Sequence, residues 1–375
     1  MEKTKTGRKN LLSPFCILGF FLGGAGLCLW LSAKFCSGFA EAYYEKIYRP
    51  VAGILATVTG SIPCSLTELC FVLLAALLIF WCSKASLLVK RKEKTMFDAF
   101  SPVLAKILSL AATVFFLFAA FCGTNYFMPS FAEKTGLVIR DSSEAELVTL
   151  CERLLDDVNE QGADLPKNEK GETVYPDSDW EMAKEARRCY RFLYEDYPFL
   201  EMGGESFGTP KPVLASFFLS ALQISGVTTP YTLEANICTE GPDFLRGATM
   251  MHEMSHLRGY MNEAEANFIA YLACESSENP YFRYSGASLA LLYSMNALYK
   301  VDPAAAKELG GRYGDSIRAD FLAQNAFVAA HETKVSEFSD TVNDTYLKLN
   351  GQQSGVKSYG EMVDLLLAYQ RKNTL

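Results

Sequence analysis

Three stretches of this chain run almost without charge for the thickness of a lipid bilayer, and nothing else in the sequence restricts its fold so strongly. Leu11 to Ala33, Leu66 to Val89 and Val103 to Phe127 each meet the roughly 20 apolar residues that a membrane-crossing helix needs. A helix buried in a soluble core is shorter and keeps a polar face, which these runs lack. Glu68 stands at one end of the second run and Lys84 near the other. Lys106 lies close to the start of the third, where its stem can carry the ammonium group to the headgroups. Lys3, Lys5, Arg8 and Lys9 precede the first run, and no small-residue cleavage site follows it. It reads as a retained anchor rather than a removed leader.

The basic residues also set an orientation. The leader and the short loop holding Lys84, Lys90, Arg91, Lys92 and Lys94 are basic. The first connection, Lys34 to Ser65, sets Lys34, Lys46 and Arg49 against Glu41 and Glu45. The positive-inside rule then puts the N-terminus in the cytoplasm and everything after Met128 outside, a multi-pass cell-membrane protein. The expected division is a membrane domain, 1–130, and an extracytoplasmic domain, 131–375. Charge divides the same way: residues 1–127 hold 13 basic and 6 acidic side chains, and the remainder holds 22 and 37. An acidic exterior argues against nucleic acid as a partner and against adhesion to anionic headgroups.

Beyond the membrane the pattern is mainly helical. Leu147, Leu150, Cys151, Leu154, Leu155 and Val158 recur at helical spacing behind Ser142 and Ser143. Asn159 to Asp179 reads as a polar loop, and Trp180 to Tyr197 as a second amphipathic helix ending at Pro198. Ile224 to Ile237 reads as two short strands around Pro230. An extended strand just ahead of a catalytic helix is a natural place for a peptide to pair by strand addition. Helices are expected over Leu289 to Tyr299, Asp302 to Leu309, Ile317 to His331, Val335 to Asn350 and Tyr359 to Arg371. Asp302 and Pro303 supply a cap and a first-turn proline. None of the eleven cysteines shows Cys-x-x-Cys spacing, which speaks against a cysteine metal site. Cys151, Cys189, Cys238 and Cys274 are expected to be isolated buried thiols.

Chemistry concentrates at His252-Glu253-Met254-Ser255-His256. Residues four apart share a helix face, so His252 and His256 can offer two imidazoles to one metal ion. Glu253 stands about a quarter-turn away, placed to take a proton from a water without being a ligand. This is the zincin pattern. A catalytic zinc needs a third protein ligand and an open position, and the only other histidine is His331. Gly259 can end the helix through a positive φ, and Asn262 can cap a second helix. Glu263 and Glu265 compete there, about 200° apart on a helix. Glu265 shares its face with apolar Phe268, Ile269 and Leu272, whereas Glu263 shares its face with Ala266, Asn267, Ala270 and Cys274. Glu263 is therefore the expected third ligand, with Glu265 the alternative. Asn267 is expected to orient a ligand by a hydrogen bond. His331, Tyr346 and Tyr359 are weaker candidates for a hydrogen-bond donor to the reacting carbonyl.

Asn262-Glu263-x-x-Ala266-Asn267 resembles the Asn-Glu-x-x-Ser-Asp element of thermolysin-type gluzincins, in which the Glu is the third ligand. Here Asn267 stands for the Asp, and the gap between the two motifs is very short. A wider resemblance is carried by Lys211-Pro212-Val213, Ile224-Ser225-Gly226, Glu234-Ala235-Asn236, His252 to His256, Gly259, Glu263 to Phe268 and Val342 to Lys348. Asn350-Gly351-Gln352, Gly355-Val356 and Ser358-Tyr359-Gly360 add to it. Together they are similar to a bacterial membrane family known as domain of unknown function 3810. That resemblance implies a zincin-like protein with three N-terminal spans and attaches no substrate to it.

Three functions fit these residues. The first is a membrane-anchored zinc metallopeptidase whose substrate is a peptide or protein, with Glu253 as general base. The second is a membrane sensor or maturation factor that binds a peptide or cell-wall ligand around a structural or regulatory zinc. The third is a scaffold whose helix has lost its chemistry, and an intact Glu253 between both histidines weighs against it.

Overall fold

The computed structural model describes residues 13–349 and 359–374. The N-terminal part is α1 (Pro14–Phe35), α2 (Phe39–Tyr43), a π-helical turn (Tyr44–Tyr48), α3 (Arg49–Gly60), α4 (Leu66–Lys90) and α5 (Met96–Phe118). α5 runs on through a π-helical turn, Ala119–Gly123, and a 3-10 turn, Asn125–Phe127. Among the described residues, three helices are long and apolar enough to cross a membrane: Pro14–Phe35, Leu66–Lys90 and Met96–Phe127. The third starts seven residues before the apolar run, because the Thr95 hydroxyl accepts the Asp98 N–H and opens the helix there. α1 and α5 lie against each other along a glycine stripe. A Cβ at Gly23 would stand 2.7 Å from the Ala112 Cβ, and one at Gly26 would stand 2.8 Å from the Phe116 Cα. Small residues of this kind let helix backbones approach closely in lipid.

The remaining elements are α6 (Phe131–Thr135), α7 (Glu144–Gly162), α8 (Asp179–Asp196), β1 (Lys211–Pro212), α9 (Ser216–Ala221), β2 (Gly226–Thr229) and β3 (Glu234–Ile237). They are followed by α10 (Arg246–His256), α11 (Glu263–Glu275), α12 (Pro280–Val301), α13 (Pro303–Gly311), α14 (Asp315–His331), α15 (Lys334–Leu349) and α16 (Tyr359–Thr374). The caps follow the sequence: Ser143 and Glu146 close a capping box on α7, and Asp302 accepts from Ala304 and Ala305 ahead of α13. α7 reaches Gly162, so the loop expected from Asn159 begins four residues later. The sheet has the order β1-β3-β2, with β1 parallel and β2 antiparallel to β3, and Gly226 opposite Ile237. β2 is thus an edge strand.

The main core gathers one face each of α7, α8, α10, α11, α12 and α16, with Leu150, Tyr190, Phe268, Leu291 and Leu366 fully buried. A second core joins the two halves of the chain. Tyr43, Tyr44, Tyr48, Ala52 and Ala56, from the connection between the first two spans, pack with Met202, Phe207, Leu233, Ala235 and Leu257. Polar contacts hold the sheet to the second span. The buried Glu234 carboxylate accepts from Leu66 N (3.1 Å) and Thr67 N (2.9 Å), capping α4 where the helix dipole favours an anion. In return Glu68, in the first turn of α4, accepts from Leu214 N (3.1 Å) and Ala215 N (2.8 Å). The Lys211 ammonium, fully buried, donates to the Ile62 carbonyl and lies over the Trp180 ring. All eleven cysteines are free thiols, and Cys151, Cys189, Cys238 and Cys274 are buried.

Candidate metal centre

Arg246 fixes the start of the histidine-bearing helix. Its buried guanidinium pairs with Asp179 and Asp243, both at 2.8 Å, and donates to the Thr239 carbonyl. On the far side, Gly247 faces Phe282 so closely that a Cβ would stand 3.1 Å from its ring, and Ala248 N donates to the Ser285 hydroxyl. The helix ends after His256, and Gly259 (φ +91°) turns the chain back, a conformation that suits glycine. Asn262 then caps α11 by accepting the Glu265 N–H at 3.0 Å. The short gap between the two motifs therefore brings α11 directly across α10.

This turn places Glu263 against both histidines. His252 Nε2 lies 3.2 Å from Glu263 Oε2, and His256 Nε2 lies 3.6 Å from Glu263 Oε1. One ligand atom from each of His252, His256 and Glu263 falls within 4.8 Å of the other two. Tetrahedral zinc, with bonds of about 2.0–2.2 Å, sets its donor atoms roughly 3.3–3.6 Å apart, close to the two His–Glu distances. The far ring nitrogens are committed elsewhere. His256 Nδ1–H donates to the Tyr260 carbonyl (2.7 Å), and His252 Nδ1 meets Asn267 Oδ1 at 2.8 Å. With Nδ1 engaged in this way, each imidazole turns its Nε2 toward Glu263. These two imidazoles and one carboxylate could hold a zinc ion.

Burial opposes a charge on His252, but the Glu263 carboxylate outweighs it and raises the imidazole to about 9. Against its own burial, Glu263 is brought down to about 2 by His256 and His252. Glu253 points into a different environment. It is buried, and desolvation raises its pKa. The Thr228 hydroxyl meets Glu253 Oε2 at 2.8 Å, and a Cβ on Gly226 would stand 2.7 Å from Oε1. β2 can lie this close only because Gly226 has no side chain.

Glu265 sits on the other side of α11, where its Oε1 accepts the Phe131 N–H at 2.5 Å, away from the two histidines. His331 donates to the Phe327 carbonyl of its own helix and lies on that residue's ring, 4.4 Å between centroids. The side chains of Tyr346 and Tyr359 lie outside those described, as do the motifs between Asn350 and Ser358.

Four contributors escape a reading by local spacing: Thr228, Gly226, Tyr260 and Tyr293, whose hydroxyl accepts from Asn267 Nδ2 at 3.3 Å. The strand pattern just ahead of the histidine motif is a signal for the first two, and Gly226 also stands in the Ile224-Ser225-Gly226 motif. Beside Thr228, Gly226 and Tyr293 opens a cleft of about 1160 Å³, lined also by His252, Glu253, His256 and Glu263.

One family model, described as Protein of unknown function (DUF3810), matches residues 43–367. The matched region begins at the tyrosines of the second core and leaves α1 outside it. No curated protein and no solved structure matches the chain.

Proposed function

The chain belongs to the protein family of unknown function DUF3810, and from the site it carries we propose a membrane-anchored, zinc-dependent metallopeptidase with a zincin-like catalytic domain. The observation that carries the proposal is the convergence of His252, His256 and Glu263 within 4.8 Å, with the Glu253 carboxylate buried beside them under an edge strand. In this reading His252, His256 and Glu263 are the ligands, and Asn267 and the Tyr260 carbonyl orient the imidazoles.

A bound zinc ion supplies a polarised scissile carbonyl and a water whose pKa falls from about 15.7 toward 7. Glu253 is the residue placed to take a proton from such a water. Thr228 occupies Oε2, so Oε1 is the oxygen left to accept it. Once the water oxygen has bonded to the carbonyl carbon, Glu253 would hand the proton to the amine nitrogen, and the C–N bond would then break. General-base work of this kind contributes about 10²–10⁴ in rate. The unpaired edge of β2 supports the binding role, since its backbone groups can pair with an extended peptide laid across Glu253.

The basic loop between the second and third spans supports a catalytic domain outside the cell and a cytoplasmic N-terminus. The test is zinc analysis of the purified full chain, followed by digestion of a peptide library with the wild type and with Glu253→Gln. A folded chain that takes up no zinc, or cleavage that persists in the variant, overturns the proposal.

A further inference from the structure

The cleft does not stop at the metal centre. It continues down the third span, where Ala111, Val114, Phe115 and Phe118 line it. These positions follow the i, i+3, i+4, i+7 spacing of one helix face. That face is not the one used for helix packing in the membrane. α1 meets α5 at Ser109, Ala112 and Phe116, and α4 meets it through Ala99 and Val103. Ala111 and Val114 are exposed, Val114 at 39%. The top of the face reaches the site directly, since Cys122 Sγ lies 3.5 Å from Met261 Sδ, just beyond the Gly259 turn. From Cys122 to Ala111 the helix descends about 16 Å, half of the roughly 30 Å hydrocarbon core, or one leaflet.

A second observation fixes the level of the domain. Leu214, Phe217 and Phe218 are exposed at 97%, 66% and 67%, on the segment that Glu68 holds to the outer end of α4. Three large apolar side chains at the end of a membrane helix belong in the interfacial layer, where burial is favourable. With the domain seated there, the lower half of the cleft opens sideways into lipid.

We propose that the substrate is a membrane-embedded polypeptide, cleaved at a bond just outside the bilayer while its apolar segment stays in the leaflet against Ala111, Val114 and Phe118. The proposal rests on the peptidase reading above. The extended stretch leaving the membrane would then lie along β2, and the apolar segment would occupy the lipid-facing half of the same cleft.

The test uses the full chain in phosphatidylethanolamine/phosphatidylglycerol liposomes with three forms of one randomised decapeptide library. The first form is free, the second abuts an apolar helix of about 20 residues, and the third is joined to that helix through a flexible Gly/Ser linker of about 30 residues. The linker arm keeps the membrane confinement and removes the apolar segment from the scissile bond. Mass spectrometry is expected to show the abutting form cleaved at least about tenfold faster than the linked form, beyond any gain from effective concentration. Val114→Trp, checked for unchanged zinc content, should erase that ratio, as should the milder Ala111→Leu. Equal cleavage of abutting and linked forms overturns the membrane-embedded substrate and leaves a peptidase. Cleavage of none of the three by zinc-loaded protein overturns the peptidase reading itself. Release of lipid fragments, dependent on Glu253, overturns the polypeptide class.

Discussion

Glu253 and Asn267 make separable contributions, and single substitutions expose the difference. Glu253 touches neither the histidine nitrogens nor Glu263, so Glu253→Gln should keep metal and lower turnover by about 10²–10⁴ or more. Peptide hydrolysis beside metal analysis checks both halves. Asn267→Ala removes the partner of His252 Nδ1, and loss of such a contact lowers metal affinity by about 10–100-fold; competition with a chromogenic chelator measures it. Protons add a third readout. His252 in the metal-free chain is raised to about 9, so at neutral pH it carries a proton that a cation must displace. Zinc affinity should therefore rise by about tenfold per pH unit from neutrality toward 9, and fall as the solution is acidified. Calorimetry in buffers of different ionisation enthalpy should report release of about one proton at neutral pH. A heat that is independent of the buffer would show that His252 is neutral before metal arrives.

Two glycines hold the elements of the site in register, for different reasons. Gly226 lets β2 lie on the Glu253 carboxylate, where a Cβ would stand 2.7 Å from Oε1. Gly226→Ala should bind zinc like the wild type yet lose most hydrolysis, because the base is pushed from its place. Gly259 adopts φ +91° and faces the Tyr44 ring at a distance that leaves no room for a methyl group. Gly259→Ala should lower stability by about 1–3 kcal/mol from backbone strain alone. The contrast with Tyr44→Phe is informative, since that change removes one hydrogen bond to the Arg258 carbonyl, worth about 0.5–1.5 kcal/mol. Thermal melts of the two variants should rank in that order. Legibility in the sequence follows the same division. The i, i+4 histidines, the Gly259 turn, the Asn262 cap and the choice of Glu263 over Glu265 are all decided within about fifteen residues, and local geometry reads such decisions well. Tyr44 and Tyr48 are decided by partners more than 200 positions away. Lys211 and Glu234 stand in visible motifs, but their work is to hold the start of α4 and the turn just before it, which no local period encodes.

Those long-range contacts make the N-terminal helices a component of the fold that carries the site rather than a detachable tether. Tyr44 and Tyr48 donate to the carbonyls of Arg258 and Leu257, the residues that follow His256, so the C-terminal end of the histidine helix is capped from between the first two spans. Buried aromatic side chains contribute about 1.5–3 kcal/mol each. Three tyrosines of the second core therefore amount to several kcal/mol, a large share of the roughly 5–15 kcal/mol that holds a typical domain together. Cutting the chain at Met128 would strip Leu233, Leu257 and Phe207 of that cover and leave Glu234 without a helix to cap. A fragment of residues 128–375 should consequently aggregate, or melt well below the same domain in the full chain, and its histidine helix should hold zinc more weakly. Supplying residues 1–127 as a separate chain in the same membrane should restore both properties, because the joining surface is non-covalent. A fragment that melts with the full chain's domain and binds zinc equally well would show that the second core is dispensable, and that the spans serve only as an anchor.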